Sequence, residues 1–273
     1  MRADRGFRRT AAPRLTISRL TLAGAALAGA ALAACATAPA AAPAPTPGAP
    51  TTGAPTTGAP TPTAASSPAD ASLATPNAPP APPADDATAA TLLADVRAAD
   101  PTIQIDLRYA TPYNFTGAVL PGYEAPRALL RREAAAALAD VQRALAADGL
   151  GLKVFDAYRP VRATEAMVAW THRVHRDDLL RDGYIAEQSR HNLGVAVDLT
   201  LVERATGREL KMGTAFDTFS LAAHTANATG EVAANRARLV RAMRAAGFVN
   251  LPEEWWHFSY PVPDPRRFDL VIR

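Results

Sequence analysis

Fourteen of the chain's 24 prolines fall between Ala36 and Ala90, and no other feature limits the possible folds so strongly. That stretch is almost wholly Ala, Pro, Thr, Gly and Ser, includes the near-repeat GAPTTGAPTTGAPT from Gly48, and has only Asp70, Asp85 and Asp86 as charges. With so little to bury it cannot offset the entropy of ordering, and 36–90 reads as a disordered, partly polyproline-II tether. What folds must lie in 91–273, enough for one domain with a substantial core.

Upstream of the tether, Arg2, Arg5, Arg8, Arg9, Arg14 and Arg19 stand against Asp4, and the apolar run LTLAGAALAGAALAAC follows. A basic segment leading into a run too short and too rich in Ala and Gly for a comfortable membrane span is the pattern of an export signal, here 1–35. The one cysteine of the chain, Cys35, closes the run as Leu32-Ala33-Ala34-Cys35, which resembles the lipobox of bacterial lipoproteins, so that its thiol would carry a lipid. An ordinary signal-peptidase cut after Ala34 is the plainer alternative. The lipid reading is preferred because cysteine occurs nowhere else and the tether follows at once. Arg8 and Arg9 lack the usual twin-arginine surroundings. The expectation is an exported protein, lipid-anchored to a bacterial membrane, with its folded domain in the periplasm or otherwise outside the cytoplasmic membrane.

Removing 1–34 turns the formal net charge of +3 into about −2, so the pI of 9.3 belongs to the signal and a nucleic-acid partner is excluded. The mature chain has no second cysteine, and its domain must stand without a disulfide. Nothing in it calls for an obligate protein partner.

Within 91–273, ATLLADVRAAD reads as a short helical start, IQIDLRY (103–109) as a strand, and PYNFTGAVLPGY as an irregular loop. Leu130, Ala134, Leu138, Val141 and Leu145 form one face of a helix over 125–147 that Gly149 ends. LKVFDAY (152–158) is a strand stopped by Arg159-Pro160, and 162–181 has helical composition. Val195, Val197, Leu199 and Leu201 line one face of a further strand, with Ala196, Asp198 and Thr200 on the other. A helix over 233–246 would bury Leu239, Val240, Met243 and Ala246, and the last strand lies near WWHFSY. The elements do not alternate in a βαβ rhythm, which favours α+β with a small, mostly antiparallel sheet flanked by helices.

Two segments carry chemistry. SRHNLGVAVDLT (189–200) places His191 in the turn before a strand whose polar face holds Asp198. EEWWHF (253–258) places Glu254 three residues before His257, and both reach one site if the segment bends at Trp255 or if Glu254 belongs to the loop begun by Pro252. Alone, each pair is as well explained by a surface or core histidine with a hydrogen-bonding partner. Together His191, Asp198 and His257 are three N/O ligands that leave a fourth position for water, with Glu254 to take its proton, which is the logic of a catalytic zinc site. Such a zinc, one per chain, lowers the pKa of its water to about 7 in the best-studied enzymes. His172, His175 and His224 need not be ligands.

SxHxxGxAxD with ExxH is the signature of the D-Ala-D-Ala metallopeptidases that share a fold with the Hedgehog amino-terminal domain, and the chain resembles the VanX-type D-alanyl-D-alanine dipeptidases among them. The resemblance runs in order through IDLRYAT, NFTG, GYEA, DAYRP, SRHNLGVAVDLTL, MGTAFD and EWWHF. It implies that Arg159 stabilises the developing oxyanion, that Asp217 receives the free ammonium of a dipeptide, and that Ser189 and Tyr123 are pocket residues beside it. It also implies D-Ala-D-Ala as substrate, since no spacing reveals chirality. An anionic group at the amino end favours a dipeptidase over a D,D-carboxypeptidase acting on peptidoglycan stems. A cell-wall binding module that keeps the metal site without catalysis is the alternative of another class.

Overall fold

The structure, a computed structural model, describes residues 81–273. The export signal, Cys35 and the tether as far as residue 80 lie outside the described residues. The tether expected to run to Ala90 ends sooner: Ala84 N–H donates to the Arg267 carbonyl at 2.8 Å, and Asp85 caps helix α1 (Asp86–Leu92) by accepting from Thr88 N–H. A capping aspartate ahead of an apolar turn outweighs the neighbouring prolines.

The expected helical start is interrupted, because Leu93–Asp95 (β1) leaves α1 to pair antiparallel with Leu129–Arg131 (β3) before α2 (Val96–Ala99) forms. The same pairing delays the helix expected from 125. Leu130, first of its apolar stripe, is fully buried in β3, and α3 spans Arg132–Ala146. Of the strand expected over 103–109 only Gln104–Ile105 (β2) pairs, and Arg108–Ala110 turns into a 3-10 helix. Its ladder stops where the neighbouring strand bulges.

That neighbour is β4 (Leu150–Asp156), which is followed by α4 (Val161–Arg173) and α5 (Asp178–Arg181) in place of one helix, the break falling at His175 with φ 57°. A 3-10 turn (Arg190–Leu193) leads into β5 (Ala196–Glu203), and α6 (Gly230–Ala245), β6 (Val249–Asn250) and β7 (His257–Ser259) complete the chain. The main sheet has the order β2-β4-β5-β7-β6, antiparallel throughout except for the β2–β4 pair, so the α+β expectation holds.

Helix α3 lies against β4 and α6 against β5, and Val197, Leu199 and Leu201 are fully buried in one core with Leu138, Leu239 and Met243. The opposite face of β5, with Ala196, Asp198 and Thr200, is equally buried. A central strand covered on both faces makes a rigid floor for whatever side chains it carries.

Candidate active site

Register brings the reactive side chains together. Asp198 of β5 stands directly opposite His257 of β7 and Asp156 of β4, so three polar residues form a row across the middle of the sheet. The row depends on a bulge: Val154 pairs with Leu199, yet Asp156 pairs with Asp198, leaving Phe155 as the extra residue. Without it Phe155 would face Asp198, and Asp156 would point into the core.

His191 reaches the row from the 3-10 turn preceding β5. Ser189 Oγ accepts from His191 N–H at 3.2 Å, Ser189 N–H donates to Asn192 Oδ1, and Gly194 ends the turn with φ 65°. A side chain at Gly194 is disfavoured twice, by that φ and because its Cβ would stand 2.5 Å from Leu93 Cδ2. The His191 Nδ1 edge lies 2.6 Å from the Ala157 carbonyl, which directs Nε2 at the row.

His191 Nε2 and His257 Nδ1 are 3.2 Å apart, and Asp198 lies between them, with Oδ1 3.0 Å from His257 Nδ1 and Oδ2 3.3 Å from His191 Nε2. Ligand atoms arranged tetrahedrally at zinc bond lengths stand roughly 3.3 Å apart, so two imidazole nitrogens and a carboxylate fit a zinc ion. Among the described residues this trio is the one group of three metal-ligating side chains so placed. Burial opposes ionisation of Asp198, but the two imidazoles outweigh it and hold the carboxyl well below the usual range, in the charged form a metal requires. His172 instead contacts Asp177 on the surface.

Glu254 lies in the turn after Pro252, not in β7, which settles how it reaches the side of His257: its carbonyl accepts from His257 N–H, and its Oε2 stands 3.8 Å from His257 Nδ1. Burial, with the Asp198 charge adding to it and His257 and Arg159 opposing, pushes the Glu254 carboxyl up to about 7. A carboxyl that titrates near neutrality suits proton transfer in both directions.

Arg159 is buried, not a surface ion-pair residue. Its Nε and Nη2 donate to Asp156 Oδ2 at 3.0 and 2.9 Å, and Nη2 is 3.9 Å from Asp198. The bulge that exposes Asp156 to this face therefore also aims the guanidinium into the cleft. That cleft, of about 250 Å³, is lined by the three metal-site residues together with Glu254, Arg159, Ser189, Asp217 and Tyr109.

Tyr123, expected beside Ser189 in the pocket, is not there: it is buried and donates to Asp156 Oδ1 at 2.6 Å, behind Arg159. The tyrosine beside Asp217 in the pocket is Tyr109, missed in the sequence. Its hydroxyl lies 3.0 Å from both oxygens of Asp217 and its ring 4.9 Å beneath the Arg159 guanidinium. Asp217 adopts φ 58°, a conformation aspartate tolerates, and burial followed by the Asp198 charge pushes its carboxyl well above the ordinary range. A carboxyl so placed gains from a cation.

A family model described as D-Ala-D-Ala dipeptidase matches residues 89–267. The chain belongs to the D-Ala-D-Ala dipeptidase family. It is 36% identical over 180 residues to a D-alanyl-D-alanine dipeptidase of Enterococcus faecalis, covering 59% of this chain and 89% of that one. It is 35% identical to the dipeptidase of the same description from Enterococcus faecium (63% of this chain, 93% of that one). With that of Escherichia coli it shares 35% identity over 63% and 86% of the two chains. Every cleft residue named above falls inside the span matched to the dipeptidase family.

Proposed function

We propose that the protein hydrolyses free D-Ala-D-Ala to two molecules of D-alanine, with zinc held by His191, Asp198 and His257. The observation that carries this reading is the convergence of that trio with Glu254 and Arg159 in a cleft that is also lined by Asp217, a carboxylate held by Tyr109. Family membership supplies the substrate and its D configuration.

Zinc in this site would acidify a water and polarise the scissile carbonyl. Glu254 takes a proton from the water as its oxygen attacks the carbonyl carbon, then gives that proton to the amide nitrogen as the C–N bond breaks and the second D-alanine leaves. Arg159, steadied by Asp156, faces the oxyanion that develops; a fixed guanidinium suits this role because it needs no reorganisation as charge appears. Asp217 accepts the substrate's free ammonium. Ser189 fixes the His191 turn at the cleft wall. A substrate with a blocked amine leaves Asp217 buried without its cation, so the site selects dipeptides over longer chains.

The remaining expectations complete the proposal. Signal 1–35 exports the chain, Cys35 carries a lipid, and the Pro/Thr-rich tether, at about 3.1 Å per residue when extended, gives a reach on the order of 150 Å from the membrane. A domain outside the cytoplasm meets dipeptides released from the wall, which favours salvage as its role.

The test compares D-alanine release from D-Ala-D-Ala and from N-acetyl-D-Ala-D-Ala by the zinc-loaded protein. Release from the free dipeptide alone is expected. Comparable release from the acetylated form would make it a carboxypeptidase, and none from either, with zinc bound, would leave a binding module.

A further inference from the structure

Arg236 of α6 is an unusual side chain in this domain: a cation only 2% exposed whose three hydrogen-bond acceptors are all backbone carbonyls. Nε donates to Met212 O at 2.8 Å, Nη1 to His224 O at 2.7 Å and Nη2 to Ala222 O at 3.0 Å. Those carbonyls lie on the two stems of a single loop, and Asp217 is within it. The preceding helix residue, Asn235, donates to Lys211 O on the first stem at 3.0 Å.

A buried cation with carbonyl partners alone adds little to stability compared with an apolar side chain of its volume. What a guanidinium adds is a planar fork that fixes several acceptors at once, which the ammonium of lysine does not reproduce. The loop needs such fixing. It turns at Gly213 with φ 88° and at Asp217 with φ 58°, conformations that persist when surrounding structure over-determines them. Gly213 also lets the loop approach: a Cβ there would come within 3.1 Å of Arg236 Nη2 and 2.8 Å of Val232.

We infer that Arg236 is a positioning residue for substrate selection, fixing the loop that presents Asp217 to the ammonium end of the cleft. This rests on the assignment of Asp217 to that ammonium. Glu254 has hydrogen-bonded supports of its own. Its carbonyl accepts from Asn250 Nδ2 at 3.0 Å and its N–H donates to Leu251 O, neither through Arg236. The loop meets the Glu254 segment at both stems: Trp255 Nε1 donates to Thr214 Oγ1 at 2.8 Å with its ring 6.0 Å from the guanidinium carbon, Trp255 N–H donates to Ala223 O at 3.1 Å, and Thr225 N–H donates to Pro252 O at 2.8 Å.

The experiment measures KM and kcat for D-Ala-D-Ala, and the inhibition constant of N-propionyl-D-alanine, the same shape without the amine, in the zinc-loaded wild type, Arg236→Lys and Asp217→Asn. Arg236→Lys is expected to raise KM for the dipeptide about tenfold with kcat nearly unchanged, and to leave binding of the propionyl compound as in wild type. Equal weakening of both ligands, or no change in either, while Asp217→Asn selectively weakens the dipeptide, overturns the inference. If Asp217→Asn itself leaves the dipeptide KM unchanged, the Asp217 assignment fails and the inference falls with it. Should circular dichroism show Arg236→Lys unfolded, Thr214→Val carries the test, since it frees the loop from Trp255 and leaves α6 intact: a selective rise in dipeptide KM supports loop positioning, and none overturns it.

Discussion

Glu254 and His257 are three residues apart, yet the proposed mechanism gives them different work, and substitution separates them. Glu254→Ala should keep its zinc, because the carboxylate is not one of the three converging groups, while turnover falls by about 10²–10⁴, the range of a lost general base. His257→Ala should lose the metal, as zinc analysis of the purified variant would show. Arg159→Lys should cost roughly 3 kcal/mol in kcat/KM, because a point charge cannot both keep the forked contact with Asp156 and face the oxyanion. Asp217, raised by burial and the nearby Asp198, predicts a pH effect of definite sign. Acid neutralises it and removes the ammonium's partner, so KM for D-Ala-D-Ala should rise as pH falls while binding of N-propionyl-D-alanine stays flat over the same steps; parallel curves would contradict this. At this scale the convergence of His191, Asp198, His257 and Glu254 was legible because each sits in a short motif whose spacing sets its geometry. Tyr109 and Tyr123 were not, since both leave irregular segments and only long-range packing, one beneath Arg159 and the other against Asp156, decides which reaches Asp217.

At the scale of elements, β5 and α6 could be read from their apolar periods, and Gly149, expected to end a helix, has φ 70°, as Gly247 after α6 has φ 92°. What the sequence hid was pairing between distant segments. Nothing local in LLR (129–131) says that β1 will claim it from a helix, and nothing in KVFDAY announces the bulge that turns Asp156 toward Asp198. Arg236 was hidden for a related reason, since on an amphipathic helix a basic residue reads as a solvated face. The turn before β5 offers a test of how tightly the elements hold the site. Gly194→Ala, strained in φ and crowded by Leu93, should lose roughly 1–3 kcal/mol of stability, visible as a lower Tm. It should also weaken zinc retention, because His191 precedes it by one short turn.

At the scale of the whole molecule, the anchor and tether proposed to precede the folded domain can be tested on the intact chain. If Cys35 carries the lipid, Cys35→Ala should move the protein from membrane to soluble fractions on cell fractionation while D-alanine release per molecule stays the same. A domain that brings His191, Asp198 and His257 together so that one atom from each lies within 4.8 Å of the others should need one zinc and no other metal ion for turnover. The most direct measurement is therefore D-alanine release from D-Ala-D-Ala by metal-stripped protein titrated with zinc. Activity absent at the start and rising to a plateau at one zinc per chain is the predicted result; full activity without metal, or a plateau at two, would contradict the account.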